Sequence, residues 1–203
     1  VEVPLSKSNV ELVGSSVKDV EGKFINLDMT RQLRGKSVEL KFVIKNLNDS
    51  PVAVPKKLSL MPYFIRRMIR KRSSYVEDSF FVKSSESLIK IKPFLITRKK
   101  VSRVVRKTLR NLTKNWIEDY FASLPDEVIF KEIISNKLQK PLSLKLKKTY
   151  PLSLCEIRMI EVVRSLSDDE KPKIKKSKSE KPLDIKDDEV VEGVDSEVES
   201  AKE

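Results

Sequence analysis

Histidine does not occur in this chain, cysteine occurs once, at Cys155, and glycine only four times in 203 residues. Without histidine there is no Ser-His-Asp or Cys-His nucleophile and no His-ligated metal. A lone cysteine excludes Cys-rich zinc and iron–sulfur sites. It also excludes an intramolecular disulfide, as suits a reducing, cytoplasmic setting. Cys155 sits in a strand-like run and reads as a small buried apolar residue. Gly14, Gly22, Gly35 and Gly193 are too scattered to build a phosphate loop. No run of apolar residues is long enough to cross a bilayer as a helix. No secretory signal is visible, and the chain opens at Val1 without an initiator methionine. These absences point away from an enzyme, a cofactor, a metal and a small-molecule substrate.

What is present is positive charge, +12 overall, and it is concentrated. Residues 51–115 hold 18 basic and 3 acidic side chains. Residues 1–50 and 116–164 each hold 8 basic and 7 acidic ones, so both are nearly balanced. Residues 165–203 are acidic, with 8 basic against 13 acidic side chains. A solubilising surface would mix its signs. A local surplus of this size repels itself unless a polyanion offsets it, which points to phosphate and to salt-sensitive binding by counterion release. RNA is the expected partner, and an anionic membrane surface is the alternative from another class.

The elements read as α+β. Ser15 to Leu27, around Gly22, reads as a weak strand or strand pair. From Val38 to Leu47, Val38, Leu40, Phe42 and Ile44 alternate with polar residues, the period of a half-buried strand. Asn46 to Pro51 supplies turn chemistry. Val52 to Leu58, broken by Pro55, reads as an edge strand. A first basic helix follows, with Ser59 as N-cap and Leu60, Met61, Phe64, Ile65, Met68 and Ile69 on its apolar half. Arg66, Arg67 and Arg70 lie on its other half, and Lys71 and Arg72 in its last turn. Phe80–Val82 and Leu88–Ile96 read as a hairpin through Ser84-Ser85-Glu86-Ser87, with Pro93 marking an edge or a bulge.

Thr97 to Phe121 reads as the second basic helix. At about 100° per residue, Val101, Val104, Val105, Leu109, Leu112, Trp116 and Tyr120 share an arc of about 160°. Arg103, Arg106, Lys107, Arg110 and Lys114 share another of about 100°, nearly opposite. Arg98, Lys99 and Lys100 stand at the helix entrance, a poor place for cations unless a phosphate binds there. A further helix covers Asp126–Leu138, with Val128, Ile129, Ile133 and Ile134 inward, and Pro141 breaks or restarts it. Leu142, Leu144, Leu146 and Tyr150 fit either a helix or a strand, and a helix ending at Tyr150-Pro151 is favoured. A last strand runs Leu154–Val163, with Cys155, Ile157 and Met159 on one face, which Glu161 extends. From Ser165 onward the chain lacks aromatics and reads as a disordered mixed-charge tail. Residues 1–164 are expected to form one RNA-binding domain, and 165–203 the tail.

A metal-dependent nuclease needs carboxylates converging near the basic surface. Residues 51–115 offer only Glu77, Asp78 and Glu86. Among the aromatics Tyr63, Phe64, Tyr75, Phe80 and Phe81, most occupy core-like positions, and Tyr75 is the best candidate to stack on a base. Phosphate and shape recognition is favoured over reading of bases.

Phe64 to Ser74, Arg103 to Lys107, Ser135 to Leu138, and Tyr150 to Leu152 with Glu156 to Arg158 form an ordered set of motifs that resembles a known family, the archaeal and eukaryotic S-three-A-e (S3Ae) ribosomal proteins. Phe64-Ile65-Arg66-Arg67-Met68-Ile69-Arg70-Lys71-Arg72-Ser73-Ser74 is similar to their basic helix followed by two hydroxyl residues. Arg103-Val104-Val105-Arg106-Lys107 resembles the start of their second basic helix, and Ser135-Asn136-Lys137-Leu138 a later segment. Tyr150-Pro151-Leu152, followed by Glu156-Ile157-Arg158, is the most specific match. Together these span roughly residues 1–163, in order. Glu86-Ser87 stands where the family has an Asp-Gly turn, and the family's basic N-terminal arm has no counterpart within residues 1–203. The resemblance implies a structural protein of the small-subunit platform, near the messenger exit, contacting ribosomal RNA and neighbouring small-subunit proteins. It also implies a curved, barrel-like antiparallel sheet with packed amphipathic helices. A free-standing RNA-binding regulator would use the same surface.

Overall fold

The computed structural model describes residues 1, 3–6, 9–14, 17–33, 35–47 and 50–166. The expected tail lies outside the described residues beyond Leu166. So do positions 48 and 49 of the expected turn; the residues on either side, Leu47 and Ser50, are paired.

The fold is α+β. Seven strands, β1 (Phe24–Asp28), β2 (Val38–Leu47), β3 (Ser50–Leu60), β4 (Tyr75–Glu77), β5 (Phe80–Lys83), β6 (Ser87–Thr97) and β7 (Leu152–Ser165), form one antiparallel sheet. Five helical segments accompany it: α1 (Val17–Val20), α2 (Pro62–Met68), α3 (Arg103–Phe121), α4 (Asp126–Ile134) and α5 (Gln139–Lys147). The strand order is β1-β2-β3-β7-β6-β4, with β5 also on β6. Among the described residues no pairing joins the two ends, so the sheet is open.

The alternation in β2 places Leu40, Phe42 and Ile44 in the core with no exposed surface. On β6 the alternation stops at Phe94. From there to Thr97 every residue is buried, because this central strand is covered on both faces. Leu109, Ile117 and Phe121 of α3, Ile129 and Phe130 of α4, and Leu142 and Leu146 of α5 belong to the same core. Each such buried side chain contributes about 1.5–3 kcal/mol.

Prolines and bulges account for most departures from simple alternation. Pro55 lies at a register shift where β2 skips Lys56. The edge expected for this segment holds only for its first half, since β7 pairs with Lys57–Ser59. On β6, Pro93 sits at a bulge rather than at an edge. Three register shifts against β6 leave Ser153, Arg158 and Val163 of β7 as extra residues, all solvent-exposed. A bulge changes which face follows it. The expectation that Cys155, Ile157, Met159 and Glu161 share one face is therefore corrected: the most buried residues of β7 are Glu156, Ile157 and Ile160.

Two further expectations change. Val17–Val20 is a helical turn, not a strand, while Phe24–Asp28 is a strand. The helix after Pro125 ends at Ile134, and a second begins at Gln139 with Pro141 in its first turn, where proline is tolerated.

Candidate nucleic-acid interface

The first basic segment is only partly helical. Ser59 and Leu60 remain in β3, held by pairing with Glu39 and Val38, so the expected cap is corrected: Met61 is the N-cap and Pro62 the first helical residue. The helix ends at Met68, and Ile69 is already extended, with ψ 119°. Arg66 and Arg67 occupy its last turn, favourable for cations. Arg70, Lys71 and Arg72 therefore lie beyond the helix, in a turn where Arg72 adopts φ 64°. On a further helical turn Arg66 with Arg70 and Arg67 with Lys71 would stand four residues apart, where like charges repel.

The second segment also starts later than its apolar pattern suggests. Thr97 closes β6, Ser102 caps α3 by accepting from the Val105 amide at 3.5 Å, and Arg103 opens the helix. Arg98, Lys99 and Lys100 form an exposed connection between strand and helix.

The facing of α3 is the principal correction. Its buried stripe is Leu109, Thr113, Ile117 and Phe121, rotated by about 120° from the centre of the expected apolar arc. Val104 is 73% exposed, and Trp116 and Tyr120 are half-buried, stacked on one another at 4.8 Å. The cationic arc thus does not stand opposite the core. Its residues occupy the N-terminal half of the flank whose C-terminal half is buried. Arg103 and Lys107 reach solvent freely, but Arg110 approaches Asp78 at 3.8 Å. Lys114 lies 6.0 Å from the Phe80 ring and 3.9 Å from Glu118. Arg106 is half-buried, and its Nε is enclosed with no hydrogen-bond partner among the described residues. The packing of α3 against β4, β5 and α5 sets this rotation, and no helical wheel contains that information.

The two basic segments, far apart in sequence, meet at one place. Met68, Arg70, Lys71 and Ser73 from one, Ile96, Thr97 and Arg98 from the other, and Ser153 of β7 line a hollow of about 250 Å³. Thr97, fully buried, holds them together. Its amide and its hydroxyl each donate to the Ser74 carbonyl at 2.9 Å, and the Ser74 amide donates back to Oγ1 at 3.1 Å. The hydroxyl also lies 2.7 Å from the Lys99 carbonyl, and the Val101 amide donates to Ser74 Oγ at 3.3 Å. Neither Thr97 nor Ser74 stood out as functional in the sequence, although Ser73-Ser74 belonged to the family pattern.

No carboxylate pairs with Arg66, Arg67, Arg70, Lys71, Arg72, Arg98, Lys99, Lys100, Arg103 or Lys107 among the described residues. Of the five candidate aromatics only Phe64 and Phe80 are buried, so the core-like reading of most of them is corrected. Tyr75 is 55% exposed on β4, Phe81 is equally open, and Tyr63 lies on α2 close behind. Cys155 packs against the core, and burial pushes its thiol up to about 12, which removes it as a nucleophile. No helix among the described residues is long and apolar enough to cross a membrane.

Comparison with known proteins agrees with these motifs. Over 95 residues the chain is 26% identical to a protein of Nanoarchaeum equitans (strain Kin4-M) called small ribosomal subunit protein eS1. That match covers 46% of this chain and 48% of the relative, so the chain matches about half the length of that protein. The model of the ribosomal S3Ae family matches residues 14–165, which include both basic segments and all seven strands. The chain belongs to the ribosomal S3Ae family.

Proposed function

We propose that this protein is a structural, non-enzymatic constituent of the small ribosomal subunit in the cytoplasm. In this reading it lies in the platform region, binds ribosomal RNA through the two basic segments and touches neighbouring small-subunit proteins. The observation that carries the RNA half is the meeting of Arg70, Lys71 and Arg98 around one hollow with no carboxylate of the described residues in ion-pair reach. Family membership supports the ribosomal half. The barrel-like curvature belongs to the same reading, and the three bulges along β7 support it by bending the strand.

The contacts are to phosphates rather than to bases. Exposed Arg and Lys on a turn and a helix entrance track a backbone, and affinity should fall with salt at about −0.7 to −0.9 in log–log slope per neutralised phosphate. Salt-independent RNA binding would contradict this reading. Sedimentation of the native protein through a sucrose gradient tests the ribosomal half: it should travel with the small subunit. If it stays at the top of the gradient yet binds RNA, it is a free-standing regulator. Ile69 and Val104, exposed beside the cations, are the feature a binder of anionic membranes would show. Flotation with anionic vesicles, with and without competing RNA, therefore accompanies the gradient.

A further inference from the structure

We propose that the hollow between the 70–73 turn, the end of β6 and the start of β7 is a seat for a single phosphate group, set apart from the diffuse contacts of the surrounding cations. The proposal rests on the RNA-binding reading and adds one discrete site to it.

Three observations carry it. The hollow is lined by three cations from two separate segments, Arg70 and Lys71 from the 70–73 turn and Arg98 from the connection after β6. Arginine offers a rigid fork and lysine a point charge, a combination that suits the oxygens of a tetrahedral anion. Ser153 supplies a neutral donor from a third element, β7. It is the extra residue at the bulge where Ile96 pairs Leu154 and Thr97 pairs Leu152, and bulges re-aim side chains. Its hydroxyl has no protein partner among the described residues. Lastly, the walls are held in place: Thr97 ties the 74 backbone to the 97–101 connection, and Ser73 Oγ closes on the Arg70 carbonyl at 2.6 Å. At about 250 Å³ the hollow offers the volume of roughly eight waters, enough for a phosphate with bridging solvent. A second hollow, between β3 and β7, carries Glu86, Asp126 and Glu127 beside its lysines and lacks this single sign.

The ligand chemistry is a phosphate oxygen cluster, and an internal phosphodiester and a terminal phosphate share it. The test uses the full chain. Amide shifts are followed by heteronuclear NMR while inorganic phosphate replaces chloride at constant ionic strength. Shifts that saturate at Ser73, Thr97, Arg98 and Ser153 are expected, and they should vanish in Arg98→Gln. Affinity for a structured RNA is then compared for Arg98→Gln, Lys107→Gln and Ser153→Ala. Arg98→Gln should weaken binding about tenfold or more. Lys107→Gln, the same charge change on an open helix face, should weaken it about two- to threefold. Ser153→Ala, with no charge change, should weaken it by a few-fold and leave the salt slope alone. A 5′-phosphate that tightens binding relative to a 5′-hydroxyl identifies the terminal group; equal affinity identifies an internal phosphodiester. Phosphate shifts that are absent or scattered, or equal losses for Arg98→Gln and Lys107→Gln, overturn the seat while steep salt dependence keeps the RNA reading. Saturation of the same amides by a glutamate-rich peptide but not by phosphate also overturns it, in favour of an acidic protein partner. Loss of salt dependence altogether removes the reading beneath it.

Discussion

Thr97 and Ser74 hold one another across 23 residues of sequence by three hydrogen bonds, two to the Ser74 carbonyl at 2.9 Å and one from its amide at 3.1 Å. This pair sets the distance between the two basic segments. Thr97→Val keeps the shape but removes the hydroxyl, leaving the Ser74 amide without its acceptor. The expected cost is about 1–3 kcal/mol, or about 2–4 °C of melting temperature per kcal/mol for a chain of this size. RNA affinity should fall as well, although no charge has been removed. A variant that melts lower but binds RNA as the parent does would limit the pair to a stabilising role.

Lys36 and Glu156 form a largely buried ion pair at 2.7 Å, with side chains 13% and 10% exposed. Asn136 Oδ1 also accepts from Lys36, and Gln139 Nε2 lies 3.4 Å from the same glutamate oxygen. Removing one partner strands the other charge, so Glu156→Ala should cost about 3–5 kcal/mol. Replacing both with apolar residues, as in Lys36→Met with Glu156→Leu, should recover most of it. A double-mutant cycle in urea measures the coupling, and additive losses would show that the pair acts as two independent groups.

Asp126 explains how the β5–β6 turn manages without glycine. Its two carboxylate oxygens accept from the Ser84 and Ser87 hydroxyls, each at 2.5 Å, while Ser84 Oγ accepts from the Ser87 amide at 2.9 Å. Asp126 also opens α4, where a negative charge is favoured. Asp126→Ala should cost about 2–3 kcal/mol, and Asp126→Asn less, since one acceptor survives. Hydrogen exchange at Glu86 and Ser87 should quicken in both. Unchanged exchange there would mean that the turn stands without the carboxylate.

Alkaline pH should destabilise the fold through two groups. Burial raises the Cys155 thiol to about 12, helped by the nearby Glu156 charge. Burial and the hydrogen bond to Glu132 raise the Tyr120 phenol likewise to about 12. A raised folded pKa keeps its stabilisation below the unfolded value, near 9 for the thiol and 10 for the phenol, and loses it as pH climbs towards 12. The urea midpoint should therefore be flat from pH 7 to 8.5 and fall progressively above about pH 9. Cys155→Ala should flatten the early part of that fall. Fast reaction of the native thiol with Ellman's reagent at pH 8 would contradict its burial.

How far the fold was legible depended on what set each element. β2 and the β5–β6 hairpin are readable because alternation and turn chemistry are local. β4, three residues long, carries no pattern and exists only through its pairing with Phe94–Ile96 of β6. The first basic helix is shorter than its apolar stripe suggests, since strand pairing holds Ser59 and Leu60. The faces of β7 escape a period-2 reading because three bulges shift its phase.

The sequence by itself determined the sign and concentration of charge, the α+β class, the lack of histidine chemistry and the family. The family follows from the order of its motifs, and the others from composition and short-range pattern, which packing cannot alter. Only the tertiary structure decided which cations remain free. It turned Arg110 and Lys114 towards Asp78 and Phe80 and enclosed Arg106 Nε. It also brought Arg70, Lys71 and Arg98 to one hollow, because helix rotation and strand bulges are settled by neighbours distant in sequence.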